Sequence, residues 1–390
     1  MNKNILWLVS WYPNALSPYD GDFIQRHAAA VALRQKVTVI YIKKDDRGSI
    51  TRHVKIFSST QNNLHEIIVF YYSVKTRFQF LNKILSALKY KKVYRKVLQK
   101  HISKNGKPTL VHVHVALKAG LQALWLKRKF NIPFIISEHW TGYLNEANYS
   151  VKDLGIIKRT LLQKIFSNAS KVTVVSDVLG KAISSHFKIE KYVIVPNVVD
   201  TTIFFYEEKA KTKRVNLVHV SSLKYQKNIS AIFEALSLIK KRNYDFRVLI
   251  FGTVHKELKT LITSKSLDGF VEFKNEVSQT QLAAYFKISD ALILYSLYET
   301  FGCVVIEANA CGVPAILSDL PVFHEYVTEN ENGIFVSPND PVALADTIEN
   351  FILSQYHFNN KMIAEKATAQ FNYDVVAANF CGIYENVLTS

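Results

Sequence analysis

Along the chain, short apolar runs rich in β-branched residues alternate with longer stretches in which apolar residues recur at helical spacing. Such alternation predicts parallel sheets assembled from βαβ units. In the first half the predicted strands are Ile5 to Val9, Val37 to Ile42, Leu110 to Val115, Phe134 to Ser137 and Val172 to Ser176. The rhythm then restarts with Val215 to Val220, Arg247 to Phe251, Val271 to Phe273, Ala291 to Tyr295 and Pro314 to Leu317. Between the two series lie the segment Val193 to Asp200 and a charged, helix-poor stretch from Glu207 to Arg214 that reads as a linker. The expectation is an α/β protein of two Rossmann-like, doubly wound domains, residues 1–195 and 196–370. Their strand carboxyl ends face a shared crevice, where such sheets bind ligands.

Length and composition agree with two domains, since 390 residues at 48% apolar content suffice for two buried cores. The net charge of +17 favours an anionic partner: nucleic acid, a membrane surface or a phosphorylated substrate. Cys303, Cys311 and Cys381 form no metal-ligand pairing and are too few for a disulfide framework, so they read as reduced, buried thiols. Asn4 to Val9 is a short apolar run leading into the loop Trp11-Tyr12-Pro13-Asn14, a first strand rather than a signal peptide. No stretch approaches the roughly 18 apolar residues of a membrane-spanning helix, so any membrane contact is expected to be peripheral.

The segment from Tyr298 to Pro314 holds two glutamates, Glu299 and Glu307, separated by seven residues. Glu299 falls in the loop after an apolar strand, whereas Gly302 onward reads as a buried helix whose free N–H groups can face phosphate. Two carboxylates at different depths can hold the hydroxyls of a sugar and of a ribose on either side of a diphosphate. This segment resembles the donor-site signature of family-four glycosyltransferases with the GT-B fold. Further landmarks of that family are Val220 to Asn228 upstream, and Glu325, the Asn332-Gly333 turn and the Asp340 helix start downstream. The resemblance implies that Glu299 faces the transferred sugar and Glu307 the ribose, with the backbone amides of Phe301, Gly302 and Cys303 near the leaving group. It places Lys227 against the diphosphate, Ser222 where the family usually has a second basic residue, and Val277 among the donor-binding residues. It also implies a helix over 371–390 that crosses back to the first domain.

On the amino-terminal side, Gly21 in the loop Pro18 to His27 resembles the family's glycine loop, which approaches donor phosphates or acceptor; a turn glycine without a ligand role is the alternative. Asp22 beside it is expected on the acceptor side. His139 resembles a family histidine that helps position the donor sugar, and Glu138 either orients its ring or is surface charge. His112 and His114 alternate with valines in a strand. His112 reads as a core histidine and His114, nearer the loop, as an acceptor-side residue. Asn197 and Asp200 resemble an interdomain motif that sets turn and hinge geometry.

From Ile67 to Ser137 there is no Asp or Glu, yet Lys75, Arg77, Lys83, Lys89, Lys91, Lys92, Arg95, Lys96, Lys100, Lys104 and Lys107 crowd the first half of that span. Leu81, Ile84, Leu85 and Leu88, then Tyr94, Val97, Leu98 and Ile102, recur at helical spacing, which predicts one or two amphipathic helices with a cationic face. The face either docks on an anionic membrane or keeps the protein soluble; docking is the preferred expectation.

Taken together, the resemblance implies a retaining glycosyltransferase requiring no metal or other cofactor. It would move a sugar from a nucleotide diphosphate sugar to a glycan or lipid-linked acceptor in bacterial surface polysaccharide biosynthesis. The expected location is cytoplasmic, peripheral at the inner face of the plasma membrane. Two rivals are a GT-B-fold sugar-nucleotide epimerase and a non-catalytic nucleic-acid-binding protein. No nucleic-acid partner is expected, because the aromatics among the lysines fall at core spacing and no nucleic-acid motif is present.

Overall fold

The computed structural model describes residues 3–73, 76–209 and 214–389. Lys75 of the basic region and residues 210–213 of the expected linker lie outside the described residues. In chain order the first half contains β1 (Asn4–Val9), α1 (Asp22–Ala32), β2 (Lys36–Lys44), β3 (Val54–Gln61), β4 (Leu64–Tyr71), α2 (Gln79–Asn105), β5 (Leu110–His114) and α3 (Ala116–Phe130). It continues with β6 (Phe134–Glu138), α4 (Ile156–Phe166), β7 (Lys171–Val174), α5 (Asp177–His186) and β8 (Tyr192–Ile194). The second half contains β9 (Val215–Val220), α6 (Ile229–Lys241), β10 (Phe246–Phe251), α7 (Lys256–Ser264), β11 (Val271–Lys274), α8 (Gln279–Lys287), β12 (Ala291–Leu294) and α9 (Cys303–Ala310). The chain closes with β13 (Ala315–Ser318), β14 (Gly333–Val336), α10 (Pro341–Ile352), α11 (Asn360–Phe371) and α12 (Tyr373–Thr389).

The first sheet has the order β3-β4-β2-β1-β5-β6-β7-β8 and the second β11-β10-β9-β12-β13-β14. Every pairing is parallel except β3 with β4, so the first sheet is mixed. Central strands are mostly apolar because helices cover both faces: Ile5, Leu6, Trp7 and Leu8 of β1 are all fully buried. Helices α2, α3 and α4 cover one face of the first sheet, while α1 and α12 cover the other.

Among the described residues, four strands exceed the predicted set: β3, β4, β8 and β14. All eight β3 residues are exposed, so it lacks the apolar alternation that marks a half-buried strand. The predicted strands Leu110 to Val115 and Val172 to Ser176 end earlier, at His114 and Val174. Val115 takes φ 64° and turns the chain away, and Ser176 caps α5 by accepting a bond from the Leu179 amide. The basic region forms one helix, α2, rather than two.

Candidate active site in the interdomain cleft

A cleft of about 920 Å³ opens between the two sheets, at the carboxyl ends of their strands. Its carboxyl-terminal wall is built by two loops. The loop after β12 delivers Glu299, and the loop after β9 ends in a single 3-10 turn, Tyr225–Lys227, that delivers Lys227. Gln226 ties the loops together: its side-chain amide donates to the Tyr298 carbonyl at 2.8 Å and its own carbonyl accepts from the Leu297 amide at 2.8 Å. In consequence Lys227 Nζ forms an ion pair with Glu299 Oε1, and the Ser296 hydroxyl donates to the same oxygen at 2.8 Å. Ser222, Lys224 and Val277 line the cleft nearby.

Helix α9 begins where the loop ends. Gly302 caps it at φ 85°, and a β-carbon there would lie 2.9 Å from the Phe323 ring, so the position requires glycine twice over. The positive end of α9, at Cys303 and Val304, faces the cleft. Phe301 also borders it, with its ring stacked on Tyr326 at 4.8 Å. Burial pushes the Cys303 thiol far above its ordinary pKa, which leaves it protonated and unreactive. Glu307 sits in the second turn of α9, buried at the cleft floor.

The facing wall comes from the first domain. Arg26 of α1 donates to Glu307 Oε1 at 2.5 Å and to Asp22 at 3.1 Å, while Gln279 of α8 donates to Asp22 at 3.3 Å. Burial raises the Glu307 pKa, with the Arg26 charge opposing it. Arg26 is desolvated, yet the Glu307 and Asp22 carboxylates keep it charged. Further cross-domain bonds run from Ser176 Oγ to the Thr300 carbonyl at 2.7 Å and from Thr300 Oγ1 to the His139 carbonyl at 3.3 Å. The Glu325 carboxylate accepts from the first amides of α5, Asp177 at 2.8 Å and Val178 at 2.9 Å, so this landmark braces a helix start across the domains.

His139 borders the cleft, and its Nε2 lies 3.2 Å from Nδ1 of His114. His114 itself is fully buried behind it, stacked on Trp7, and touches the cleft only through His139. Burial lowers the pKa of both rings well below the ordinary histidine range, so both are neutral. His27 completes a group of three buried imidazoles whose nitrogens lie within 4.8 Å of one another, close enough to share one cation. Glu138 is a buried carboxylate rather than surface charge. It accepts from the Ala116 amide at 2.7 Å, the His139 amide at 3.2 Å and the Tyr143 hydroxyl at 2.9 Å, and so fixes the backbone of His139 instead of its ring. His112 is a core histidine, bridging Tyr384 at 2.8 Å and Ser137 at 2.7 Å.

Gly21 does not line the cleft, although Asp20 and Asp22 beside it do. It caps α1 at φ 71°, and a β-carbon would come within 2.7 Å of the Trp11 backbone. It lets the loop turn against Trp11, as the turn-glycine alternative expects. The structure thus gathers Glu299, Lys227, His139, Ser222, Val277, Phe301, Gly302, Cys303, Glu307 and Asp22 around one cleft and leaves Gly21 and His114 behind it. Sequence reasoning missed Arg26 and Gln279. The four-residue spacing of Asp22 and Arg26 on a helix was the available signal for the first.

Similar architecture recurs in solved structures. Sucrose-phosphate synthase from Thermosynechococcus elongatus superposes with TM-score 0.79 at 18% identity, covering 99% of this chain and 100% of that one. Anabaena Alr3699/HepE in complex with UDP-glucose gives TM-score 0.72 at 15% identity over 99% and 100%. The fold is therefore GT-B. The sequence model "Glycosyltransferase Family 4" matches residues 28–203 and "Glycosyl transferases group 1" matches residues 200–369. The chain belongs to this family of glycosyltransferases.

Among curated relatives, an uncharacterized glycosyltransferase of Methanocaldococcus jannaschii is 23% identical over 77% of this chain and 84% of its own length. Alpha-monoglucosyldiacylglycerol synthase of Streptococcus pneumoniae is 24% identical over 72% of this chain and 66% of its own.

Proposed function

We propose that the protein transfers a sugar from a nucleoside diphosphate sugar to a hydroxyl of a glycan or lipid-linked acceptor, with retention of configuration and without a metal ion. The observation that carries this reading is the Lys227–Glu299 pair beside the positive end of α9, with Glu307 one helical turn deeper. A ligand bearing both hydroxyls and a diphosphate can take over both members of that pair. Glu299 would accept from a sugar hydroxyl, Lys227 and the α9 amides would meet the diphosphate, and Glu307 would accept from the ribose.

As the bond from the anomeric carbon to the diphosphate breaks, its electron pair leaves with the phosphate oxygen, and Lys227 and α9 stabilise that charge. The acceptor hydroxyl attacks the oxocarbenium-like sugar from the face the diphosphate is leaving, and its proton passes to the departing phosphate oxygen. Positive charge for the leaving group thus comes from side chain and helix, which is why no metal is assigned. The cross-domain bonds of Ser176, Thr300 and Glu325 would hold the cleft closed and dry during transfer.

Support for a uridine nucleotide as the first donor to test comes from the Anabaena structure holding UDP-glucose. Support for a lipid-borne acceptor comes from the relative named for a glucosylated diacylglycerol. No helix among the described residues is long and apolar enough to cross a membrane. The setting we infer is peripheral, at the inner face of the plasma membrane, in bacterial surface polysaccharide assembly.

A thermal-shift screen of nucleotide sugars, followed by NMR of the product anomer with and without EDTA, tests the reading. The expected result is one stabilising donor, retained configuration and turnover unchanged by chelation. An inverted product or abolition by EDTA would overturn the mechanism, and absence of any stabilising nucleotide sugar would overturn the function.

A further inference from the structure

Helix α2 carries apolar residues on two opposite sides in its two halves. In the second half Tyr94 is fully buried, with Val93, Val97 and Leu98 beside it against the first sheet. In the first half Phe80 is 73% exposed and Leu88 58%, and Phe78, Leu81, Ile84 and Leu85 are exposed as well. Leu85 precedes Tyr94 by nine residues, as Leu88 precedes Val97, and nine residues are about two and a half helical turns. The Leu81-Ile84-Leu85-Leu88 stripe therefore points directly away from the protein. The first half is held by its opposite side, where the Tyr71 hydroxyl meets Ser86 at 3.2 Å and Tyr90 packs on Tyr71.

Beyond Leu88 the outward line turns cationic, with Lys91, Lys92 and Lys96 exposed, and no acidic residue occurs from Ile67 to Ser137. A second apolar point lies at the start of α4, where Ile156 is 80% exposed beside Lys158 and Arg159. Both features occupy one edge. α2 starts after β4 ends and α4 after β6 ends, on the same face of the sheet, so both helix starts project at the carboxyl edge that borders the cleft. Lys43 at the end of β2 and Lys118 at the start of α3 stand on this edge too. Partial desolvation, and then the like charges of Lys43 and Lys158, lower the Lys118 pKa although its surface stays exposed.

We propose that the first three turns of α2, together with the opening turn of α4, lie in the headgroup region of an anionic membrane leaflet, so that the mouth of the cleft faces the bilayer. An in-plane helix requires an apolar face to insert and flanking cations to meet anionic headgroups, and this stretch supplies both. An outward apolar stripe next to lysines that repel another copy of the same surface suits lipid better than a self-interface. The inference deepens the lipid-borne acceptor of the proposed function and rests on that reading for its purpose.

Flotation with vesicles of phosphatidylcholine alone, and with about one third phosphatidylglycerol added, tests it in full-length protein. The parent should float with the anionic vesicles. The triple variant Leu81→Glu/Leu85→Glu/Leu88→Glu, altered at exposed positions, should lose at least ten-fold in partitioning, with unchanged melting temperature and unchanged stabilisation by UDP-glucose. In a separate Leu85→Trp variant, brominated lipid should quench the fluorescence added over the parent. Undiminished flotation of the triple variant, an unquenched added indole, or a lipid-free dimer that the triple substitution splits into monomers would each overturn the proposal. Vesicle binding without nucleotide-sugar stabilisation would leave it standing and sink the transfer reading instead.

Discussion

Two of the ion pairs in the cleft are built on opposite plans. Lys227–Glu299 joins two loops of one domain, and the lysine side chain retains 17% exposure. Arg26–Glu307 joins one domain to the other, with both side chains under a tenth exposed. The first pair can pass to a ligand without movement of either sheet, because both partners hang from loops already tied by Gln226. The second cannot: for Glu307 to receive a ribose, Arg26 must share or release it, and release frees α1 from α9. On the proposed function, one pair would be a reserve of charge for chemistry and the other a latch that reports occupancy of the donor site.

The contrast is open to attack at several points, beginning with the latch. Arg26→Ala strands a buried carboxylate, and the closed form should lose about 3–5 kcal/mol, read by urea denaturation. A loss below about 1 kcal/mol would mean that the latch is already open in solution. Lys227→Ala should cost less stability than Arg26→Ala, because Ser296 still donates to Glu299 and the pair is open to the cleft, while lowering kcat by roughly 10²–10³-fold, the scale for removing one group that stabilises developing negative charge. Equal damage to stability would erase the distinction between the two pairs. Glu299→Gln should resemble it in kcat, whereas Glu307→Gln should also weaken stabilisation by UDP-glucose in thermal shift.

A pH test sharpens the comparison further. His27, next to Arg26, is lowered from 6.5 to about 4 by burial first and by the Arg26 charge as well, with the Pro196 carbonyl opposing. The unfolded chain therefore binds the proton more readily. The stability this confers is complete above pH 6.5 and is lost as pH falls toward 4. The melting temperature should drop across that window, and His27→Gln should lessen the drop, to which the buried His112, His114, His139 and His219 also contribute. The smallest effect belongs to Thr300→Val, which removes one cross-domain hydrogen bond, to the His139 carbonyl, and should cost about 0.5–1.5 kcal/mol.

The carboxyl-terminal wall of the cleft was legible because its groups are close in sequence: Glu299, Gly302 and Glu307 share one loop and one helix, and a helix start fixes their relative depth. Lys227 was legible through its family landmark. Arg26–Glu307 was not, since 281 residues separate the partners and only the fold brings them together. The depth of His114 was hidden for a related reason. Alternation in a strand tells which residues share a face, not whether α12 and the Trp7 ring will seal that face. The same limit explains α2: helical spacing disclosed both apolar stripes, but only the packed sheet determined that one turns inward and the other outward. β3 escaped because an edge strand exposed at every position carries no burial pattern to read.

The chain passes between the domains a second time at its end, where α11 lies on α9 and α12 lies on α1. The Val199 amide of the earlier passage donates to the Phe371 carbonyl of the later one at 2.8 Å. Two crossings fastened side by side act as a door hinge, leaving rotation about one axis and resisting shear. A chain cut before Tyr373 would keep Phe371 but lose the return of the chain to the first domain, together with Val376, Phe380 and Tyr384 from the first core, so the last helix bears at once on the packing of one half and on its tether to the other.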